Sequence, residues 1–229
     1  RLANKNCCSV VIQAMRNDLK EEKGVDILIE KGFESGSGLG SSSASSAAAA
    51  IAYNELMGGP FSDKELIKYA SLGEEIACGT AHADNVAPAI LGGMVLYVND
   101  RIVRIPIPEE LYVVIMQSDQ KLQTSVSRAV LPHQIKFKQA SEQAANLALF
   151  IASFYEGELQ DEPVSDYLAE PYRQHLIPEF EHLKARFGRK AISFGISGSG
   201  PSAFALVRGK EYAERMAQEI QKSYSGKVF

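Results

Sequence analysis

The sequence predicts an α+β fold in two parts, on three observations. Helical and alternating apolar patterns are interspersed without the strict strand–helix rhythm of a parallel α/β sheet. Three short strand-like runs at 93–98, 101–106 and 111–116 are followed, from Gln123, by a mostly helical half. Each half also carries a glycine-rich loop, at 36–40 and 197–201. The boundary is placed near 100–110, with an N-terminal domain over 1–105 and a C-terminal domain over 106–229.

In chain order, apolar residues at Val10, Val11, Ala14, Met15 and Leu19 predict a helix over 3–19. Val25 to Glu30 alternates and predicts a strand. A Ser/Ala-rich helix is expected from Ser41 to Met57, stopped by Gly58-Gly59-Pro60. Ser62-Asp63-Lys64-Glu65 has the form of a capping box and opens a helix over 63–78. Beyond the three strands, helices are expected at 124–130 (stopped by Pro132), 134–156, 164–169 and 173–187. A strand at 191–196, the second glycine loop, a strand at 202–207 and a helix at 209–223 complete the series. The chain opens inside a helix pattern, and Gly226 to Phe229 reads as a strand just beginning, so both ends are expected to be clipped.

With 229 residues, 45% hydrophobic, the chain can bury a substantial core. A formal charge of −4 argues against nucleic-acid binding through a basic face. No apolar run reaches the length of a membrane span. Cys7 and Cys8 are adjacent and Cys78 is distant, which suits reduced thiols in a cytoplasmic enzyme better than a disulfide framework. The histidines, His82, His133, His175 and His182, lack metal-ligand spacing. Dimers being the commonest assembly of soluble enzymes, a homodimer is the default expectation.

The strongest local signal is Gly36-Ser37-Gly38-Leu39-Gly40-Ser41-Ser42-Ser43-Ala44, a glycine loop running into a helix. Glycines allow close backbone approach, and the amides and dipole at the helix N-terminus favour an anion such as phosphate. The serines can add hydroxyl donors or ligate a magnesium ion. No Lys follows the glycines as in a P-loop, and Ser41 stands where the dinucleotide fingerprint needs its third glycine. A flexible linker is disfavoured because the loop lies between two ordered elements.

Glu74 and the run Gly79-Thr80-Ala81-His82-Ala83-Asp84-Asn85-Val86-Ala87-Pro88 form a second constellation. Glu74 could hold a cation, and His82, Asp84 and Asn85 suit a loop that reads a polar substrate. The plainer alternative is a turn capped by Asp84 or Asn85. Arg128 and Arg173 are forks suited to a carboxylate, although a lone Arg is more often a solvated charge. Ser197-Gly198-Ser199-Gly200-Pro201-Ser202 is either a tight turn or a close backbone approach to a ligand.

Gly38 to Ser42 resembles the second signature motif of the GHMP kinases, and Ile196 to Ser202 resembles the third. His82 to Ala89, Arg128-Ala129-Val130-Leu131-Pro132 and Glu170 to Pro178 resemble homoserine kinases within that superfamily. The resemblance covers almost the whole chain. It implies an N-terminal nucleotide-binding domain, a C-terminal ferredoxin-like domain with added helices, and an active site in the cleft between them. The implied reaction moves the ATP γ-phosphoryl to the side-chain hydroxyl of L-homoserine, in threonine biosynthesis.

By the same resemblance, Gly36, Ser37, Gly38, Leu39, Gly40, Ser41, Ser42 and Ser43 wrap the ATP phosphates, and Ser42 and Glu74 position Mg²⁺. Asn85 and Asp84 contact the amino acid near its hydroxyl and ammonium, with His82 lining that loop. Arg128 and Arg173 hold the carboxylate, Thr124 lies near the phosphoryl path, and Gly198 to Gly200 support the loop. Transition-state stabilisation, rather than a dedicated base, is the implied mechanism. Glu34-Ser35 stands where the family has Pro-Leu, and the family's first motif would lie upstream of Arg1. The alternatives are another GHMP kinase, such as one for mevalonate or galactose, and a non-catalytic domain of this fold. A serine hydrolase would need a G-x-S-x-G elbow, which the sequence lacks.

Overall fold

The computed structural model describes residues 6–33, 35–78, 83–159 and 164–229. They fall into two compact units, Arg1–Glu34 with Gly40–Ile105, and Ser35–Leu39 with Pro106–Phe229.

In the first unit, α1 (Cys7–Leu19) starts at Asn6, whose side chain accepts from the Cys8 and Ser9 amides and satisfies two orphan donors. It packs with α2 (Ser41–Leu56), α3 (Asp63–Cys78) and α4 (Ala83–Leu91) around Val11, Met15, Ala50, Tyr53, Ile67, Ala70 and Val86. The small residues of α2 let its neighbours approach closely. A Cβ added at Gly73 of α3 would lie 2.3 Å from the Ser46 hydroxyl of α2. At the start of α3, Glu65 accepts from the Ser62 amide at 2.9 Å and from its hydroxyl at 2.6 Å, the reach-back of a capping box. The hairpin β1 (Met94–Val98) and β2 (Arg101–Ile105) turns at Asn99-Asp100, whose φ values of 48° and 60° match the two-residue turn that fits twisted strands.

The second unit is built on an antiparallel sheet of order β4-β5-β3-β6, from β3 (Leu111–Gln117), β4 (Ser193–Ile196), β5 (Ala203–Arg208) and β6 (Lys227–Val228). With helices between β3 and β4 and between β5 and β6, this is the ferredoxin-like arrangement. The helices are α5 (Thr124–Ala129), α6 (Phe137–Glu156), α7 (Glu170–Arg173), α8 (Phe180–Phe187) and α9 (Lys210–Gln221). One face of the sheet, with Val114, Met116, Phe194, Ala205 and Val207, packs on Phe180 and Leu183 of α8 and Met216 and Ile220 of α9. A Cβ added at Gly226 would sit 2.2 Å from the Gln117 carbonyl oxygen, where β6 meets β3. Gly226→Ala is therefore expected to cost about 1–3 kcal/mol, read as a lower thermal midpoint.

Three expectations are corrected. Val25 to Glu30 forms no strand and joins no ladder among the described residues, leaving Leu28 87% exposed. Alternation marks a segment that can pair, and a strand also needs a neighbour. The helix expected at 164–169 is absent: Val164 bridges Ser193, and the Asp166 carboxylate accepts from the amides of Leu168, Ala169 and Glu170, capping α7 instead. The helix expected over 173–187 is broken after a 3₁₀ turn at Gln174–Leu176, because Ile177 precedes Pro178 and is driven to extended backbone (φ −114°, ψ 112°). No helix among the described residues is long and apolar enough to cross a membrane.

Candidate active site

The glycine loop begins in the second unit. Gly36 and Gly38 take φ of +83° and +80°, and Gly40 follows at +70°, with Ser37 and Leu39 between them outside that region. Such alternation turns successive amides toward one concavity, an anion-binding nest. The carbonyls of the loop are held on its other side. Gly36 O accepts from the Leu122 amide (3.4 Å), Ser37 O from the Ser202 amide (3.1 Å) and Gly38 O from the Ser197 hydroxyl (2.8 Å). In a trans peptide the N–H opposes the C=O, so these anchors aim the amides of Ser37, Gly38 and Leu39 away from the support. The Leu39 amide also reaches the Ser37 hydroxyl at 3.4 Å.

From Gly40 the loop enters the first unit as the N-cap of α2. The first-turn amides of a helix lack intrahelical partners and carry the positive dipole end. Ser41 and Ser43 are buried there and Ser42 is half-buried. The Ser43 hydroxyl has no hydrogen-bond partner among the described residues. Lys31 Nζ donates to Ser41 Oγ at 3.1 Å, placing a cation beside the helix N-terminus. A cation there opposes the dipole unless an anion joins them. Lys31 escaped the sequence reading because it lies ten residues from its partner; its place just before the loop was the available signal.

Glu74, only 3% exposed, follows the close crossing of Gly73 with α2. Asp84 and Asn85 are exposed in the first turn of α4, and Asn85 lies 3.9 Å from a Cβ built on Gly40, against the mouth of α2. The Asp84 carboxylate accepts from the Asn85 amide at 3.0 Å, the local contact the capped-turn alternative expects. His82, together with 79–81 and Glu34, lies outside the described residues. No group of three or more His, Cys, Asp or Glu forms a metal site among the described residues. Ser42 at the start of α2 and the buried Glu74 carboxylate of α3 are oxygen donors of the kind Mg²⁺ takes, one or two from the protein with phosphate and water completing its shell.

In the second unit, α5 carries half-buried Thr124 and exposed Arg128, and α7 ends on half-buried Arg173. Arg173 Nε donates to Ser127 O (3.2 Å) and Nη1 to Gly198 O (3.1 Å), while the buried Ser127 hydroxyl donates to Ser199 O (2.7 Å). Burial lowers the Arg173 pKa from its ordinary value, Asp166 offsets this, and Arg128 lowers it further. Two guanidiniums that repel each other gain from an anion placed between them. α7 is itself held by the Glu170–Lys184 ion pair and the Asp166 cap. Burial pushes the Glu170 carboxyl up and Lys184 pulls it down, with a net rise.

Residues 6–93 match the GHMP kinases N terminal domain and 143–226 the GHMP kinases C terminal domain. The chain is 40% identical over 232 residues to a homoserine kinase of Chlorobium phaeobacteroides, a match covering 96% of this chain and 72% of that one. The chain belongs to the homoserine kinase family of the GHMP kinases. A homoserine kinase of Methanococcus vannielii is 36% identical, with 98% of this chain and 76% of that one covered. The crystal structure of a homoserine kinase from Cytophaga hutchinsonii superposes with a TM-score of 0.94 at 37% identity, covering 99% of this chain and 76% of the other. As a GHMP kinase, the protein takes ATP as phosphate donor and a small molecule as acceptor.

Proposed function

We propose that this chain catalyses transfer of the ATP γ-phosphoryl to the side-chain hydroxyl of L-homoserine, giving O-phospho-L-homoserine in threonine biosynthesis. The observation that carries the reading is 37–40% identity, over nearly the whole chain, to proteins named homoserine kinase. The two arginines supply what an amino-acid acceptor asks for.

The nest at Ser37, Gly38 and Leu39, the first-turn amides and hydroxyls of α2, and the Lys31 ammonium would bind the triphosphate. Ser42 and Glu74 would hold Mg²⁺, which supplies charge neutralisation at the phosphate oxygens when bound. Arg128 and Arg173 would take the acceptor carboxylate. Asp84 would face its ammonium, and Asn85 and Thr124 its hydroxyl and the incoming phosphoryl. Phosphoryl transfer depends on in-line positioning and charge stabilisation more than on a strong base, so no residue is assigned as a general base. Cys7 and Cys8 are free thiols, in keeping with a cytoplasmic location, and a homodimer is the proposed assembly.

The test is Mg-ATP turnover with L-homoserine, mevalonate and galactose in parallel. Turnover is expected with homoserine alone. Turnover with a different acceptor would replace the substrate assignment. Nucleotide binding without turnover of any acceptor would favour the non-catalytic alternative.

A further inference from the structure

Three successive carbonyls of the phosphate loop have donors, and only one of those donors is a side chain. Leu122 and Ser202 hold Gly36 and Ser37 through backbone amides that any residue but proline would supply. The Gly38 carbonyl, in contrast, is held by the Ser197 hydroxyl. Among the loop's glycines, Gly38 also comes closest to the support: a Cβ there would lie 2.5 Å from Gly200 O.

The turn that carries Ser197 is closed by its own backbone, Ser197 N to Ser202 O (2.9 Å) and Gly200 N to Ser197 O (2.9 Å). Its Gly198 and Ser199 carbonyls face Arg173 and Ser127. One side of this block therefore holds the phosphate loop and another holds the acceptor arginine, with the Ser197 hydroxyl acting on the loop side alone.

We infer that Ser197 is a positioning residue for the nucleotide: its hydroxyl fixes the Gly38–Leu39 peptide so that the Leu39 amide, whose own contact with the Ser37 hydroxyl is a long 3.4 Å, is held where phosphate can compete for it. The inference rests on the kinase reading above. Removing the hydroxyl leaves the Gly38 carbonyl without its donor and frees that peptide to rotate, while the turn and its hold on Arg173 stay intact.

The experiment compares wild type, Ser197→Ala and Ser197→Thr, measuring Kd for the β,γ-imido analogue of ATP with Mg²⁺ by calorimetry and KM for both substrates by turnover. Ser197→Ala is expected to raise the nucleotide Kd and KM roughly tenfold, the scale of one hydrogen bond with an orphaned partner. The homoserine KM and the thermal midpoint should hold, and Thr, which keeps the hydroxyl, should restore most of the affinity. An unchanged nucleotide Kd in Ser197→Ala, equal losses for both substrates, or a failure of Thr to rescue would overturn the inference while leaving the kinase reading standing. Wild-type protein that binds no nucleotide would sink both.

Discussion

Gly38→Ala is expected to lower kcat/KM for ATP by about 100-fold. The added Cβ would lie 2.5 Å from Gly200 O, 2.7 Å from Gly200 C and 3.0 Å from Ser197 O. All three are backbone atoms, so no side-chain rotation relieves the contact. The φ of +80° adds left-handed strain. Strain of about 1–2 kcal/mol and a clash of about 1–3 kcal/mol together reach the roughly 3 kcal/mol that corresponds to two decades in rate. Gly36→Ala is the graded control. Its φ is +83°, but its Cβ would meet only the Lys121 side chain at 3.7 Å, an ordinary contact. Strain alone predicts a loss of about tenfold there. Steady-state kinetics of the two variants would check this, and equal losses would show that the loop's approach to the Ser197–Gly200 turn is not what matters.

Arg173→Ala is expected to reduce kcat/KM for homoserine by about 1,000-fold, mostly through KM. On the proposed role the variant would lose charge-assisted bonds to the acceptor carboxylate, about 1.5–3 kcal/mol each, and it leaves the Ser127 and Gly198 carbonyls without their donor. Arg173→Lys keeps the charge but cannot span two carbonyls and a carboxylate, so it should recover about a tenth of the loss or less. Nucleotide Kd should change little, because the Ser197 turn is closed by its own backbone bonds. A variant with normal homoserine KM and a lowered thermal midpoint would make Arg173 a structural clasp rather than a substrate ligand.

Much of this was legible in the sequence because its causes are local. The Ser62–Glu65 reach-back, the Gly58-Gly59-Pro60 stop and the strands on either side of Asn99-Asp100 are decided by residues within a few positions of one another. The two glycine loops and the arginines are visible as motifs, and Glu74, Asp84 and Asn85 as a local cluster of polar groups whose roles the family resemblance implies. The break at Ile177 was local too, since Pro178 announces it, but the helical periodicity on either side hid it.

Asp166 shows where local reading ends. Its carboxylate is equally at home inside a short helix or capping the next one, and the choice went to the cap where Val164 pairs with Ser193. Val25 to Glu30 has strand alternation and no ladder partner among the described residues, because pairing is a property of two segments. The sequence by itself determined most of the helices, the strands at 93–98, 101–106 and 111–116 and most of the candidate chemical groups, while the ferredoxin-like domain was implied by its resemblance to the GHMP kinases. Tertiary structure alone decided which way the loop's amides face and what Arg173 holds. Those depend on contacts such as Ser197 to Gly38, 159 residues apart, which no local pattern encodes.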